Sequence, residues 1–163
     1  MTYAPGETRE LGELLGRLLK AGDVICLMGG LGSGKTCFAQ GIGRGLGVKE
    51  PVTSPTFTII HEYRGTGVPF YHIDVYRLED SGEIECIGYD DYVYGEGATV
   101  IEWADKIQDI LPCERLDVFL DAVEANEDGL AGAGDARRIR FVPRGARFRI
   151  LVEELVRDAR ARL

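Results

Sequence analysis

The sequence predicts an α/β domain, a mostly parallel sheet flanked by helices with an antiparallel extension near the C-terminus. Three observations predict it. Two short, nearly unbroken apolar runs, D-V-I-C-L-M at 23–28 and A-T-V-I-E-W at 98–103, suit strands buried on both faces, as parallel strands are. The first run passes through glycines into a segment of helical period, and this strand-helix-strand order belongs to layered α/β folds. Residues 116–123 and 137–142 alternate apolar and polar side chains, as a β-hairpin does.

Each element follows in order. Leu11, Leu14, Leu15, Leu18 and Leu19 recur at helical spacing, so residues 8–20 form an amphipathic helix, stopped near Gly22. A second helix covers about 35–46 and closes near Gly47. Residues 51–55 are bounded by Pro51 and Pro55, and 57–63 and 70–76 are strand-like. Residues 80–94 are acidic and mixed and read as short helices. The connection 124–135, rich in Ala, Gly and acids, reads as mobile. The last helix, about 146–162, gathers Phe148, Leu151, Val152, Leu155, Val156 and Ala159 on one face. With 163 residues, no internal repeat and no linker, the expectation is one domain over 1–163.

Composition excludes several classes. Hydrophobic residues make up 45% and charged residues 28%, as in ordinary globular proteins. The net charge of −8 argues against nucleic-acid binding through bulk charge. That charge is divided unevenly: from Arg137 onward nine arginines face three acids, a net +6, which leaves −14 on the rest. The first residues lack a basic stretch followed by an apolar core, and no run is long enough to span a bilayer, so a cytoplasmic protein is expected. Cys26, Cys37, Cys86 and Cys113 form no C-x-x-C pair and read as free thiols.

The chemistry sits in residues 29–36, G-G-L-G-S-G-K-T, which fit G-x-x-x-x-G-K-[ST]. A triphosphate needs many donors around a small, dense charge. Glycines let successive N–H groups curl inward, and the following helix adds its positive end. The loop residues Leu31, Gly32, Ser33, Gly34, Lys35 and Thr36 are therefore candidates to bind ATP, with Lys35 reaching the β- and γ-phosphates and the Thr36 hydroxyl on Mg2+. A P-loop NTPase-like domain follows. Hydrolysis also needs an acid near magnesium and a group to position the attacking water. Glu102 ends a buried strand, where such acids are found, and Asp74 lies in the strand-like F-Y-H-I-D-V-Y-R-L. GTP selectivity is excluded: the N-K-x-D and D-x-x-G patterns are absent, and the single Asn126 precedes Glu127 and Asp128.

Further motifs occur in order: V-T-S-P-T-F-T-I-I-H-E-Y at 52–63, F-Y-H-I-D-V-Y-R-L at 70–78, E-I-E-C-I-G-Y-D-D-Y at 83–92 and I-E-W at 101–103. With the P-loop they resemble the TsaE family, the bacterial ATPase of tRNA threonylcarbamoyladenosine biosynthesis, over about 8–103. The resemblance implies that Thr36 and Glu102 ligate or orient Mg2+, that Asp74 is essential for hydrolysis, and that 54–58 act as a switch sensing the γ-phosphate. It places Thr8 near the nucleotide, and implies partner proteins of the TsaD and TsaB type, which carry threonylcarbamoyl to tRNA. One departure is Gly30, where the family usually has Asp. A small-molecule P-loop kinase and a nucleotide-gated adaptor without hydrolysis are the alternatives.

Four smaller readings complete the set. His61 and His72 read as strand residues rather than metal ligands, and Trp103 as packing near the site. Arg77 reads equally as a charge stabiliser for the γ-phosphate or a partner of the acidic body. The arginines at 137–149 either pair with that body or form a docking surface for an acidic partner or tRNA phosphate.

Overall fold

Burial on both faces makes Val24–Met28 (β1) the centre of the sheet: all five residues are buried, Ile25 and Leu27 facing one layer and Val24, Cys26 and Met28 the other. The computed structural model describes residues 1–123 and 134–162. In it the helix Pro5–Leu18 (α1) precedes β1, and Lys35–Gly45 (α2) follows the glycine loop. Strands Ile60–Tyr63 (β2) and Phe70–Asp74 (β3) come next, then the short helices Ser81–Glu85 (α3) and Tyr89–Val93 (α4). Ala98–Glu102 (β4), a 3₁₀ segment Ala104–Ile110, Arg115–Ala122 (β5), Arg137–Arg144 (β6) and Ala146–Arg162 (α5) complete the order.

The sheet runs β2-β3-β4-β1-β5-β6, with parallel pairing from β3 through β5 and an antiparallel strand at each edge. The expected C-terminal hairpin is β5–β6, and the β2 edge adds a second antiparallel pair. One core joins α1, α2 and α5 to the sheet through Leu15, Phe38, Ile42, Phe148 and Leu151. The other packs Ile84, Tyr89 and Ile107 against Cys26 and Ile73. Burial in this second core pushes the Cys26 thiol pKa well above its usual range, with Asp117 adding to the rise. No helix among the described residues is long and apolar enough to cross a membrane.

Three elements differ from expectation. The first helix starts at Pro5 rather than residue 8, because a proline fits the first helical turn, where its missing N–H has no intrahelical acceptor. The strand expected over 57–63 is confined to β2, since Ile59 takes a left-handed φ of 66° and residues 57–59 turn instead. The helix-like segment after Trp103 carried no sequence expectation. The reading of 124–135 as mobile falls almost wholly on 124–133, outside the described residues.

The α1–α2 contact rests on glycines that leave no room for a side chain. Cβ atoms added at Gly12 and Gly16 would lie 2.3 Å from the carbonyl oxygens of Phe38 and Ile42, and one at Gly41 would lie 2.1 Å from that of Arg9. The obstructing atoms are backbone, so the helices themselves must separate to admit a methyl group. Gly41→Ala is expected to destabilise the fold by on the order of 3 kcal/mol despite alanine's better helix propensity. Urea denaturation measures it.

Candidate functional site

Parallel pairing brings the candidate residues together at one end of the central strands. Asp74 ends β3, Glu102 ends β4, and the two lie opposite each other in register, while Glu102 also faces Leu27 of β1. The loop 29–36 leaves β1 at that same end, the carboxyl end of the strands where open α/β sheets form their binding crevices. A cavity of about 430 Å³ lies there, lined by 31–37 of the loop and helix start and by Ser54, Thr56, Asp74, Tyr76, Glu102 and Trp103.

The loop geometry demands glycine. A Cβ on Gly29 would sit 2.2 Å from the Leu120 carbonyl oxygen, and Gly34 caps α2 with a left-handed φ of 99°. At Gly30 an added Cβ meets nothing within 4 Å, so this position has room for a side chain. The Gly30 carbonyl accepts from the Ser33 amide at 3.2 Å and from Lys35.

Lys35 Nζ donates to the carbonyls of Gly29 and Gly30, both at 2.7 Å, and lies 3.8 Å over the Trp103 ring. Burial lowers its pKa from the ordinary lysine value, opposed by the charges of Glu102, Asp74 and Asp105. The Thr36 hydroxyl donates to Glu102 Oε2 at 3.1 Å, and Glu102 Oε1 accepts from His72 Nε2 at 2.8 Å. Asp74 Oδ2 accepts from Ser54 at 2.9 Å and Thr56 at 3.4 Å, and Oδ1 from the Tyr76 amide at 2.9 Å. The segment 54–58 is thus bound directly to a site carboxylate, and the strained Ile59 stands at its end.

Thr36 and Glu102 offer adjacent hard oxygen donors, the type a divalent magnesium ion takes from a protein while water and phosphate complete its shell. No closed cluster of three or more His, Cys, Asp or Glu arranged for a metal occurs among the described residues. An ion held by few protein ligands needs none.

Other candidates stand apart. Thr8 is buried, its methyl 3.8 Å from the position a Cβ would take on Gly34, and its hydroxyl is engaged by Thr2 Oγ1 at 2.8 Å. It lies beside the loop and is not among the residues that line the cavity. Arg77 lies 4.1 Å over the exposed Phe57 ring and makes no ion pair among the described residues. Arg144 pairs with buried Asp117 at 2.6 Å, and Arg147 with Asp23 at 2.7 Å, so these two arginines serve the body of the fold. Arg137 donates to the Gly32 carbonyl at 3.1 Å, a loop contact that a sequence separation of 105 residues concealed. Trp103, read from sequence as packing, takes a left-handed φ of 60° and turns its ring onto the Lys35 ammonium.

The family model described as "Threonylcarbamoyl adenosine biosynthesis protein TsaE" matches residues 2–129. The chain belongs to the TsaE family. The tRNA threonylcarbamoyladenosine biosynthesis protein TsaE of Bacillus subtilis is 43% identical over 156 residues, covering 96% of this chain and 92% of that protein. The TsaE of Treponema pallidum is 45% identical over 106 residues, covering 65% and 78%. The crystal structure of Bacillus subtilis YdiB superposes with a TM-score of 0.80 at 38% identity, over 97% of this chain and 93% of that one. Likeness to TsaE proteins therefore extends well beyond the 8–103 span of the recognisable motifs, into the C-terminal hairpin and helix.

Proposed function

We propose that this chain binds ATP with Mg2+ in the cavity beside 29–36 and hydrolyses it, as the ATPase component of tRNA threonylcarbamoyladenosine biosynthesis. Family membership supports the pathway, and one geometric observation carries the chemistry: the β3–β4–β1 register sets Asp74, Glu102 and the loop side by side. The loop amides and the start of α2 bind phosphate oxygens, and Lys35 adds the point charge. Thr36 and Glu102 hold the magnesium, which neutralises charge developing on the phosphates. Asp74 orients the attacking water and takes up its proton. Ser54 and Thr56, hydrogen-bonded to that carboxylate, make 54–58 the segment through which nucleotide state is communicated.

Hydrolysis resets the complex with proteins of the TsaD and TsaB type, which transfer threonylcarbamoyl to tRNA adenosine. The chain does not itself perform that transfer. A small-molecule kinase needs an acceptor pocket beside the phosphates; the larger cavity, about 850 Å³ between α1, β6 and α5, shares no lining residue with the site.

Cys37 gives a direct test of where the nucleotide sits. It lines the cavity and is partly exposed, while Cys86 and Cys113 are exposed elsewhere. Mg-ATP is expected to slow alkylation of Cys37 at least severalfold and to leave Cys86 and Cys113 unchanged, read by peptide mass spectrometry. Equal labelling of Cys37 with and without nucleotide counts against the assignment.

A further inference from the structure

His72 is wholly buried in the middle of β3, and its Nδ1 has no hydrogen-bond partner among the described residues. A buried polar atom left unpaired costs folding free energy, which an apolar side chain of similar size avoids. The imidazole does one thing such a side chain cannot: its Nε2–H donates to Glu102 Oε1 at 2.8 Å. The other oxygen of that carboxylate accepts from Thr36. Glu102 is therefore gripped at both oxygens, from inside the sheet by His72 and from the loop by Thr36.

The imidazole is itself held. It stacks on Phe70 with centroids 5.7 Å apart, and Phe70 stacks on Tyr63 at 5.6 Å. The Tyr63 hydroxyl accepts from the Thr53 amide at 3.2 Å, next to the segment that binds Asp74. A column of three rings thus runs from the start of that segment to the Glu102 carboxylate.

We infer that His72 is a positioning residue, whose Nε2–H fixes the Glu102 carboxylate so that Oε2 faces Thr36 and the magnesium that accompanies the nucleotide. This rests on the proposed role of Glu102, and the test separates the two. Groups that orient a metal-binding side chain typically change metal affinity by about ten- to a hundredfold. In His72→Leu, the Mg2+ concentration giving half of the nucleotide-induced change in Trp103 fluorescence is expected to rise about tenfold, with Mg2+-free ATP affinity unchanged. kcat falls more than KM changes. His72→Gln, whose amide N–H₂ reaches toward the same oxygen, is expected to recover most of both effects. In a Glu102→Gln background, His72→Leu is expected to add less than twofold, because the two act as one unit.

An unchanged Mg2+ requirement in His72→Leu beside a raised one in Glu102→Gln overturns the positioning role alone. Fully additive losses in the double variant, or failure of His72→Gln to recover anything while its urea midpoint stays parental, also overturn it. If Glu102→Gln itself leaves the Mg2+ requirement unchanged, the role proposed for Glu102 falls, and this inference with it.

Discussion

Lys35→Ala is expected to abolish ATP-dependent function while leaving the fold intact. The ammonium is the cation of a cavity that also holds Glu102 and Asp74, and it ties the Gly29 and Gly30 carbonyls together. Without it the two carboxylates face the triphosphate with no opposing side-chain charge lining the cavity, and the loop loses its brace. Loss of such a charged donor removes on the order of a hundredfold or more in turnover. The backbone donors survive, so weak nucleotide binding persists. Stability without nucleotide is expected to stay near the parental value, since the deleted amine is partly desolvated in the folded state. The ligand effect separates the proteins: at a hundredfold excess over Kd, Mg-ATP stabilises a binding protein by about 2.7 kcal/mol. The variant should show little of this in a thermal melt. Parental hydrolysis by Lys35→Ala in the assembled complex contradicts the site assignment.

Glu102→Gln and Asp74→Asn are expected to separate binding from turnover. Both changes keep shape and remove one negative charge at the carboxyl end of the strands. Glu102→Gln leaves its neighbours Thr36 and His72, which donate to the carboxylate, facing an amide that presents only one acceptor oxygen. Asp74→Asn weakens the acceptor that Ser54, Thr56 and the Tyr76 amide share. Turnover should fall on the order of a hundredfold in each, and ATP affinity by much less. Single-turnover hydrolysis with labelled ATP gives the first quantity and Trp103 fluorescence the second. Unchanged turnover in both variants removes these carboxylates from the mechanism.

What the sequence revealed follows from the range of each interaction. The glycine loop was legible because strand, turn and helix are consecutive, and Gly32 and Gly34 answer to a left-handed φ of their own. Asp74 and Glu102 could be named one by one, as acids at the ends of apolar runs. That they lie opposite each other was not legible, because parallel register joins strands 28 residues apart. His72 was read as an ordinary strand residue for the same reason: the one hydrogen-bond partner of its side chain among the described residues is on the neighbouring strand. Thr8 was placed near the nucleotide by resemblance, and its hydroxyl contact with Thr2 is one no motif encodes. The arginine cluster was legible as charge and ambiguous in purpose; the acids that hold Arg144 and Arg147, Asp117 and Asp23, are distant in sequence. The close α1–α2 packing did leave a signal, Gly12 and Gly16 against Gly41 and Gly45, each pair four residues apart on one helix face.

The central claim joins a nucleotide site to a tRNA modification, and one measurement reaches both ends of it. Cells depleted of this protein are supplied with the parental chain or with Lys35→Ala at equal abundance, and threonylcarbamoyladenosine in their tRNA is quantified by mass analysis of nucleosides. The account predicts that depletion lowers the modified nucleoside, that the parental chain restores it, and that Lys35→Ala does not. Full modification in depleted cells, or full restoration by Lys35→Ala, would contradict it.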